Sequence, residues 1–306
     1  MNSPEGRIDA RDWSLLGLLS LLWGGSFFFN GLILRELPPL TVVLLRVAVA
    51  ALILLPLLRV YRIPFPKGLS GWTPFVAIAL FNNVLPFSLV VTGQTYIASG
   101  LASILNATTP LFTVMVMAAA GEEKLSASRI AGVVTGLIGV AILRGEAVGF
   151  TTGQGIGILL CLAATVSYAL SALLARRLLA NSPPLGTATF QLLASTAMMA
   201  IVAGSVEQPW RLPIPGTATW LAVIGLAALS TALAYIVFFQ IVRRSGATNV
   251  MLVTLLIPVT AILLGYLVLG ESMSVRELTG AAVIGSALLV IDGRVVALVR
   301  RRLAVS

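Results

Sequence analysis

Side chains able to ionise or to form hydrogen bonds are scarce in this chain, and their positions decide what chemistry is open to it. The 306 residues include no histidine and one cysteine, Cys161, which lies in an apolar run. The commonest general base and metal ligand is therefore missing, and no disulfide framework or cysteine-based metal site can form within the chain. The 11 acidic residues fall at the ends of apolar runs, with none at the middle of one. Catalysis inside a membrane needs a nucleophile with a base or a metal, so no catalytic residue, metal or cofactor is expected.

What remains is the chemistry of binding. Asn82 and Asn83 sit midway along an apolar run, one turn before Pro86, and Ser99, Ser103, Asn106 and Pro110 recur at helical spacing in the next run. A polar group in hydrocarbon is costly without a partner or water, so these residues either line a wet cavity or bond between helices. Trp23 and Phe27 share one helical face, with Tyr168 and Tyr235 comparably deep. These rings either stack on an apolar or aromatic substrate or pack the core. Arg46 is the only basic residue well inside an apolar run. It can clamp a substrate carboxylate, or it can snorkel or pair with carbonyls as part of a gate.

The elements that position these groups follow from composition. With 58% hydrophobic and 10% charged residues, the chain is an integral membrane protein. The formal charge of +9 is spread as single or paired basic residues at the ends of apolar runs, which excludes a nucleic-acid surface. Ten segments are long enough to cross a bilayer, at about 13–34, 40–58, 72–92, 98–119, 127–144, 154–175, 185–205, 217–240, 247–269 and 275–292. The first follows Arg7 and Arg11 but lacks a cleavage site, so it reads as a retained span. Fifteen of the 20 Lys and Arg residues fall on one side when the N-terminus is placed in the cytoplasm, which puts both termini there.

The chain also repeats itself. At an offset of 148, Trp72 falls on Trp220, Pro110 on Pro258, Glu123 on Glu271, Ser126 on Ser274 and Gly132 on Gly280. At 145, Trp23 falls on Tyr168, Ser26 on Ser171, Pro38 on Pro183 and Arg46 on Gln191. Residues 1–146 are thus expected to form one five-helix repeat, and 147–306 a second with a short basic cytoplasmic tail, the Gly-rich 145–153 joining them. Five is odd, so the second copy enters the membrane from the opposite side. The expected fold is an all-α integral membrane protein of ten transmembrane helices in two inverted repeats. The second copy places Ser230, Thr231, Thr254 and Pro258 opposite the polar positions of the first, so the central site should be asymmetric. Pro110 and Pro258 each remove a donor in mid-helix, as hinges or as static kinks. Gly132, Gly136 and Gly139 allow close helix approach, within the chain or between two copies.

These features resemble the drug/metabolite transporter superfamily, specifically the EamA family. The matching pieces are WGGSFF, Pro38 and Arg46, SGLASILNATTPLFTVMVMAAAGEEKLS, VSYALSALLARR and LLIPVTAILLGYLVLGES. The whole chain is similar to the YddG-type aromatic amino-acid exporters. The resemblance implies a central cavity and efflux across the bacterial inner membrane of aromatic and other neutral amino acids. Carried onto this chain, the lining residues are Trp23, Phe27, Asn82, Asn83, Asn106, Tyr168, Tyr235 and Thr254, with Pro110, Pro258 and Arg46 in gating or hinge roles. The absence of a midplane carboxylate argues for facilitated movement, and a lone Arg46 argues against nucleotide sugars. The rival readings are export of drugs or other metabolites, an intramembrane enzyme, or a membrane subunit without transport.

Overall fold

A computed structural model describes residues 9–144, 153–245, 250 and 252–292. Among these, ten helical stretches run through the chain. They are α1 (Ala10–Ile33), α2 (Pro39–Val60), α3 (Gly68–Gly93), α4 (Ser99–Ala119), α5 (Ala127–Arg144), α6 (Gly153–Leu178), α7 (Pro184–Val206), α8 (Thr217–Ser245), α9 (Val253–Leu269) and α10 (Val275–Asp292). The expected spans are all present, although α3 begins at 68 and α8 continues to 245. The expected start of the ninth span at 247, most of the joining segment 145–153, the repeat boundary at 146, both termini and the basic tail lie outside the described residues.

Local sequence explains most boundaries. Prolines open α2 and α7, where a preset φ helps and the missing donor costs nothing. Ser274 and Glu277 form a reciprocal capping box at the start of α10, with backbone donations of 2.7 and 3.3 Å. Gly121 and Gly270 both stop a helix at φ +71°, a conformation that disfavours a side chain. Those two glycines are 149 apart rather than 148, because α9 ends in a π-turn, Gly265–Leu269, that accommodates one extra residue. The structural counterpart of Glu271 is therefore Glu122, not the Glu123 given by a constant offset.

Seven helices are long and apolar enough to cross a membrane outright. Residues 127–143 of α5 and 253–269 of α9 are shorter apolar helices, and α10 carries Arg276, Glu277 and Asp292. Eighteen residues still reach about 27 Å, close to the thickness of the hydrocarbon layer. Leu52, Val134, Val259 and Leu267 stand exposed on helix flanks, as a lipid-facing belt requires.

Neighbouring helices come in matched pairs. α5 packs on α10 and α2 on α7, while α1 packs against α8 and α9 just as α6 packs against α3 and α4. Exchanging the first five helices with the last five reproduces this pattern. We call the side where α1 begins the near face and the side where it ends the far face. The start of α6 packs on the far end of α3, through Gly157 on Gly93 and Ile97, and its end meets the near end of α4 through Arg177 and Glu122. α6 therefore runs opposite to α1. The glycine stripe is used within the chain: a Cβ on Gly132 or Gly139 would strike Ile291 or Ile284 of α10, and one on Gly136 would strike Leu111 of α4.

Candidate functional site

The polar residues that matter lie where two helices leave regular α geometry. In α3, Leu80–Val84 forms a π-turn, and in α8 Ala228–Leu233 forms another at the repeat-equivalent position. Pro86 follows the first and cannot donate to the carbonyl four residues back. The second forms with Ala234 in that place, so proline is not its sole cause. Such turns widen the helix and free backbone carbonyls for other donors. Ser167 of α6 donates to the Phe81 carbonyl at 2.8 Å, and Thr231 reaches back to Leu226 O at 2.9 Å.

Each π-turn is met by the second helix of the other half. Arg46 of α2 donates from Nε to Thr231 Oγ1 at 3.0 Å, and Gln191 of α7 accepts from Asn82 Nδ2 at 3.1 Å. Asn82 also donates to the Tyr235 hydroxyl at 3.1 Å, which donates to Asn83 Oδ1 at 3.1 Å. Asn83 Nδ2 donates to Ser195 Oγ at 3.0 Å, and Ser195 donates to the Gln191 carbonyl at 2.7 Å. One network thus ties α3, α7 and α8 together midway along their lengths, with Arg46 bonded to the π-turn beside it.

Arg46 is 7% exposed and lies with its guanidinium carbon 3.7 Å from the centre of the Phe87 ring. Tyr168 and Tyr235 pack against the same apolar cluster as Phe87. Among the described residues no carboxylate pairs with it. Phe87 returns about 2 kcal/mol through the ring face, and the hydroxyl of Thr231 about 1.5–3. An isolated charge in low dielectric costs several kcal/mol, and among the described residues only these neutral partners offset it.

Aromatic rings continue the site. Trp23 lies 5.5 Å from Phe238, Phe238 lies 5.2 Å from Phe239, and Phe239 stacks on Tyr235 at 6.2 Å between centroids. All four are half-buried, so a strip of ring surface runs from α1 along α8 to the polar network.

The structure therefore brings Asn82, Asn83, Tyr235 and Arg46 together, with Tyr168 beside them and Trp23 at the end of the strip. Phe27 lies elsewhere, buried in the core around α1, α4 and α9, with its carbonyl accepting from Gln94 at 2.9 Å. Asn106 is not part of the network, and its Oδ1 is sealed with no partner among the described residues. Thr254 is half-buried on α9. Pro110 follows a real interruption: α4 breaks at Ala107 and Thr108, and Thr109 Oγ1 caps the freed Asn106 carbonyl at 2.7 Å. Pro258 sits inside an unbroken Val253–Leu264. Sequence reasoning did not find Ser195, Phe87, Phe238 or Phe239. Their signal was available only as a helical face shared with Gln191 (Ser195, four on), Asn83 (Phe87, four on) or Tyr235 (Phe238 and Phe239, three and four on).

The far face carries a second polar cluster. Gln94 Nε2 donates to the Phe27 carbonyl and to Ser99 Oγ at 3.1 Å, and Asn30 Nδ2 donates to Gln94 Oε1 at 2.9 Å. Glu271, just beyond the end of α9, accepts from the backbone N–H groups of Ser99 and Gly100 at 3.0 and 3.2 Å. These bonds join the far ends of α1, α3, α4 and α9.

Comparison with known proteins agrees with this architecture. A solved structure aligns over 90% of this chain and 96% of its own, with a TM-score of 0.64 and 20% identity, which shows a shared fold. An uncharacterized transporter of Archaeoglobus fulgidus is 23% identical, with 90% of this chain and 96% of that protein covered. Protein PagO of Salmonella typhimurium is 27% identical over 86% and 87%. The uncharacterized inner membrane transporter YedA of Escherichia coli K12 is 24% identical over 89% and 88%. The EamA-like transporter family matches twice, at residues 12–145 and again at 155–291. On these matches, the chain is a multi-pass membrane protein and a transporter rather than an enzyme, and it belongs to the EamA-like transporter family.

Proposed function

We propose that this protein exports small metabolites, namely amino acids with aromatic or other neutral side chains, from a bacterial cytoplasm by alternating access. The observation that carries this reading is the buried polar network between the π-turns of α3 and α8, ending in the half-buried strip Trp23, Phe238, Phe239 and Tyr235. A site fixed midway across the membrane, contributed by both halves, is what alternating access requires. We take 1–146 and 147–306 as the two inverted units, with both termini cytoplasmic. The matched helix neighbours and the opposite directions of α1 and α6 support that division. Pro110, at the break in α4, and Pro258 are the flex points, and Asn106 and Thr254 line the route on α4 and α9.

Movement is driven by the substrate gradient. Every described carboxylate lies at a helix end, so no proton carrier stands beside the central network. The test is counterflow in proteoliposomes: purified protein exchanges labelled phenylalanine for internal phenylalanine, and an imposed pH gradient changes the rate little. Failure of phenylalanine, tyrosine, tryptophan and leucine alike to exchange removes the amino-acid reading. Strong uphill accumulation on acidifying one side removes facilitated movement.

A further inference from the structure

The central site has a charge that nothing described in the protein balances. The Arg46 guanidinium is always protonated and carries five N–H donors, of which Nε alone is bonded, to Thr231 Oγ1 at 3.0 Å. Among the described residues, neither Nη group has a partner. They are also not among the sealed polar atoms lacking one, so the fork keeps some open surface in a residue that is 7% exposed. Phe87 covers one face of the guanidinium at 3.7 Å, so the edge with the two Nη groups is the one left for a ligand. A planar fork with two free parallel donors matches a carboxylate or a phosphate bidentately, and a single positive charge among neutral, ring-lined surroundings favours the singly charged carboxylate.

The repeat sharpens the argument. Arg46 and Gln191 occupy equivalent places, each bonded to the other half's π-turn, yet one is charged and the other neutral. A purely structural bridge would be met by an amide in both. The single positive charge makes the site complementary to one anionic group. The neutral oxygens of Gln191, Asn83 and Tyr235 sit around the adjoining π-turns, and the ring strip leads away.

Resting on the export reading above, we propose that Arg46 is the carboxylate receptor of the transport site, so that the substrates are monocarboxylates whose apolar part lies along the strip to Trp23. An amine without a carboxylate would leave Arg46 bare and add a second cation beside it, which disfavours it strongly.

The test uses full-length protein purified into nanodiscs, with binding read by calorimetry and tryptophan fluorescence. The probes share one ring: phenylalanine, 3-phenylpropionate and phenethylamine. Phenylpropionate is expected to bind, and phenethylamine at least about tenfold more weakly than phenylalanine. Arg46→Gln should weaken phenylpropionate by about 10- to 100-fold and abolish the preference over phenethylamine, whereas Arg46→Lys should restore part of it. Should Arg46→Gln fail to fold, the wild-type ligand series and Arg46→Lys still decide the matter. Equal binding of phenethylamine, binding of phenylpropionate unchanged in both variants, or no binding of either carboxylate overturns the proposal. If phenylpropionate binds through Arg46 while no amino acid exchanges in proteoliposomes, the amino-acid reading fails and the carboxylate receptor stands.

Discussion

The two faces of the molecule are fastened by different chemistry. At the far face, three carboxylates each cap the first turn of a helix from the other half. Glu207 accepts from the Leu40 and Thr41 N–H groups at 2.9 and 2.6 Å and from the Thr41 hydroxyl at 2.8 Å. Glu36 accepts from Gly216 N at 2.6 Å, and Glu271 from Ser99 N and Gly100 N. The N-cap residues of those helices are Pro38, Gly216 and Ala98, none of which makes a side-chain cap of its own. The orphan donors and the helix dipole are thus satisfied from across the molecule. At the near face the ties are ion pairs between long side chains: Arg129 with Glu123, Arg176 and Arg177 with Glu122, and Arg244 with Asp9 and Asp12. Caps fix backbone against backbone, while flexible ion pairs re-form in several geometries. The difference teaches that the far face is closed by caps on backbone donors and the near face by side-chain ion pairs, so in this conformation the two ends are held together by different kinds of contact.

The largest effect should come from breaking the most complete cap. Glu207→Ala leaves two N–H groups and a hydroxyl unpartnered and should cost about 2 kcal/mol, measured as a lower unfolding midpoint in detergent. Next, Glu271→Gln keeps the shape but loses the charge, with an expected loss of about 1 kcal/mol and faster labelling of a cysteine placed at Ser99. Similar losses from Glu122→Gln would erase the contrast between faces. That near-face change should instead leave the unfolding midpoint almost unchanged, because its arginine partners are exposed, and any remaining effect should vanish in high salt.

Acid should weaken both faces. The Gly216 N–H, and then the Thr219 hydroxyl, hold Glu36 below its ordinary 4.5, and Arg177 followed by Arg176 does the same for Glu122. A lowered folded value stabilises above the unfolded one and is lost as pH falls through it. Thermal stability should therefore hold from neutrality to about pH 5 and decline below 4.5, with Glu36→Gln flattening part of that decline. A stability curve that falls instead as pH rises from 5 to 8 would contradict these assignments.

Much of this was legible beforehand where a physical signal is local. Apolar runs long enough to cross a bilayer announced the ten helices, and Pro110 announced the break in α4. Asn82, Asn83 and Arg46 stood out because polar groups in hydrocarbon are expensive wherever they lie. The caps were not legible: Glu207 and Thr41 are 166 positions apart, and nothing near Pro38 reveals that its helix is capped from α7. The role of Glu271 was hidden for the same reason, since a glutamate after a helix-ending glycine looks solvated until its neighbour is known. Phe27 and Trp23, one turn apart, looked alike but face the core and the ring strip respectively.

Sequence alone settled that this chain lives in lipid, that it is written twice, and that it has no histidine and no carboxylate in mid-span, because hydropathy, periodicity and residue inventory need no partner to be read. Only the tertiary structure decided which amide meets which hydroxyl, that no carboxylate among the described residues pairs with Arg46, and that one face is capped while the other is ion-paired. Those facts depend on contacts between residues more than a hundred positions apart, and distance along a chain carries no information about distance in space until the helices have packed.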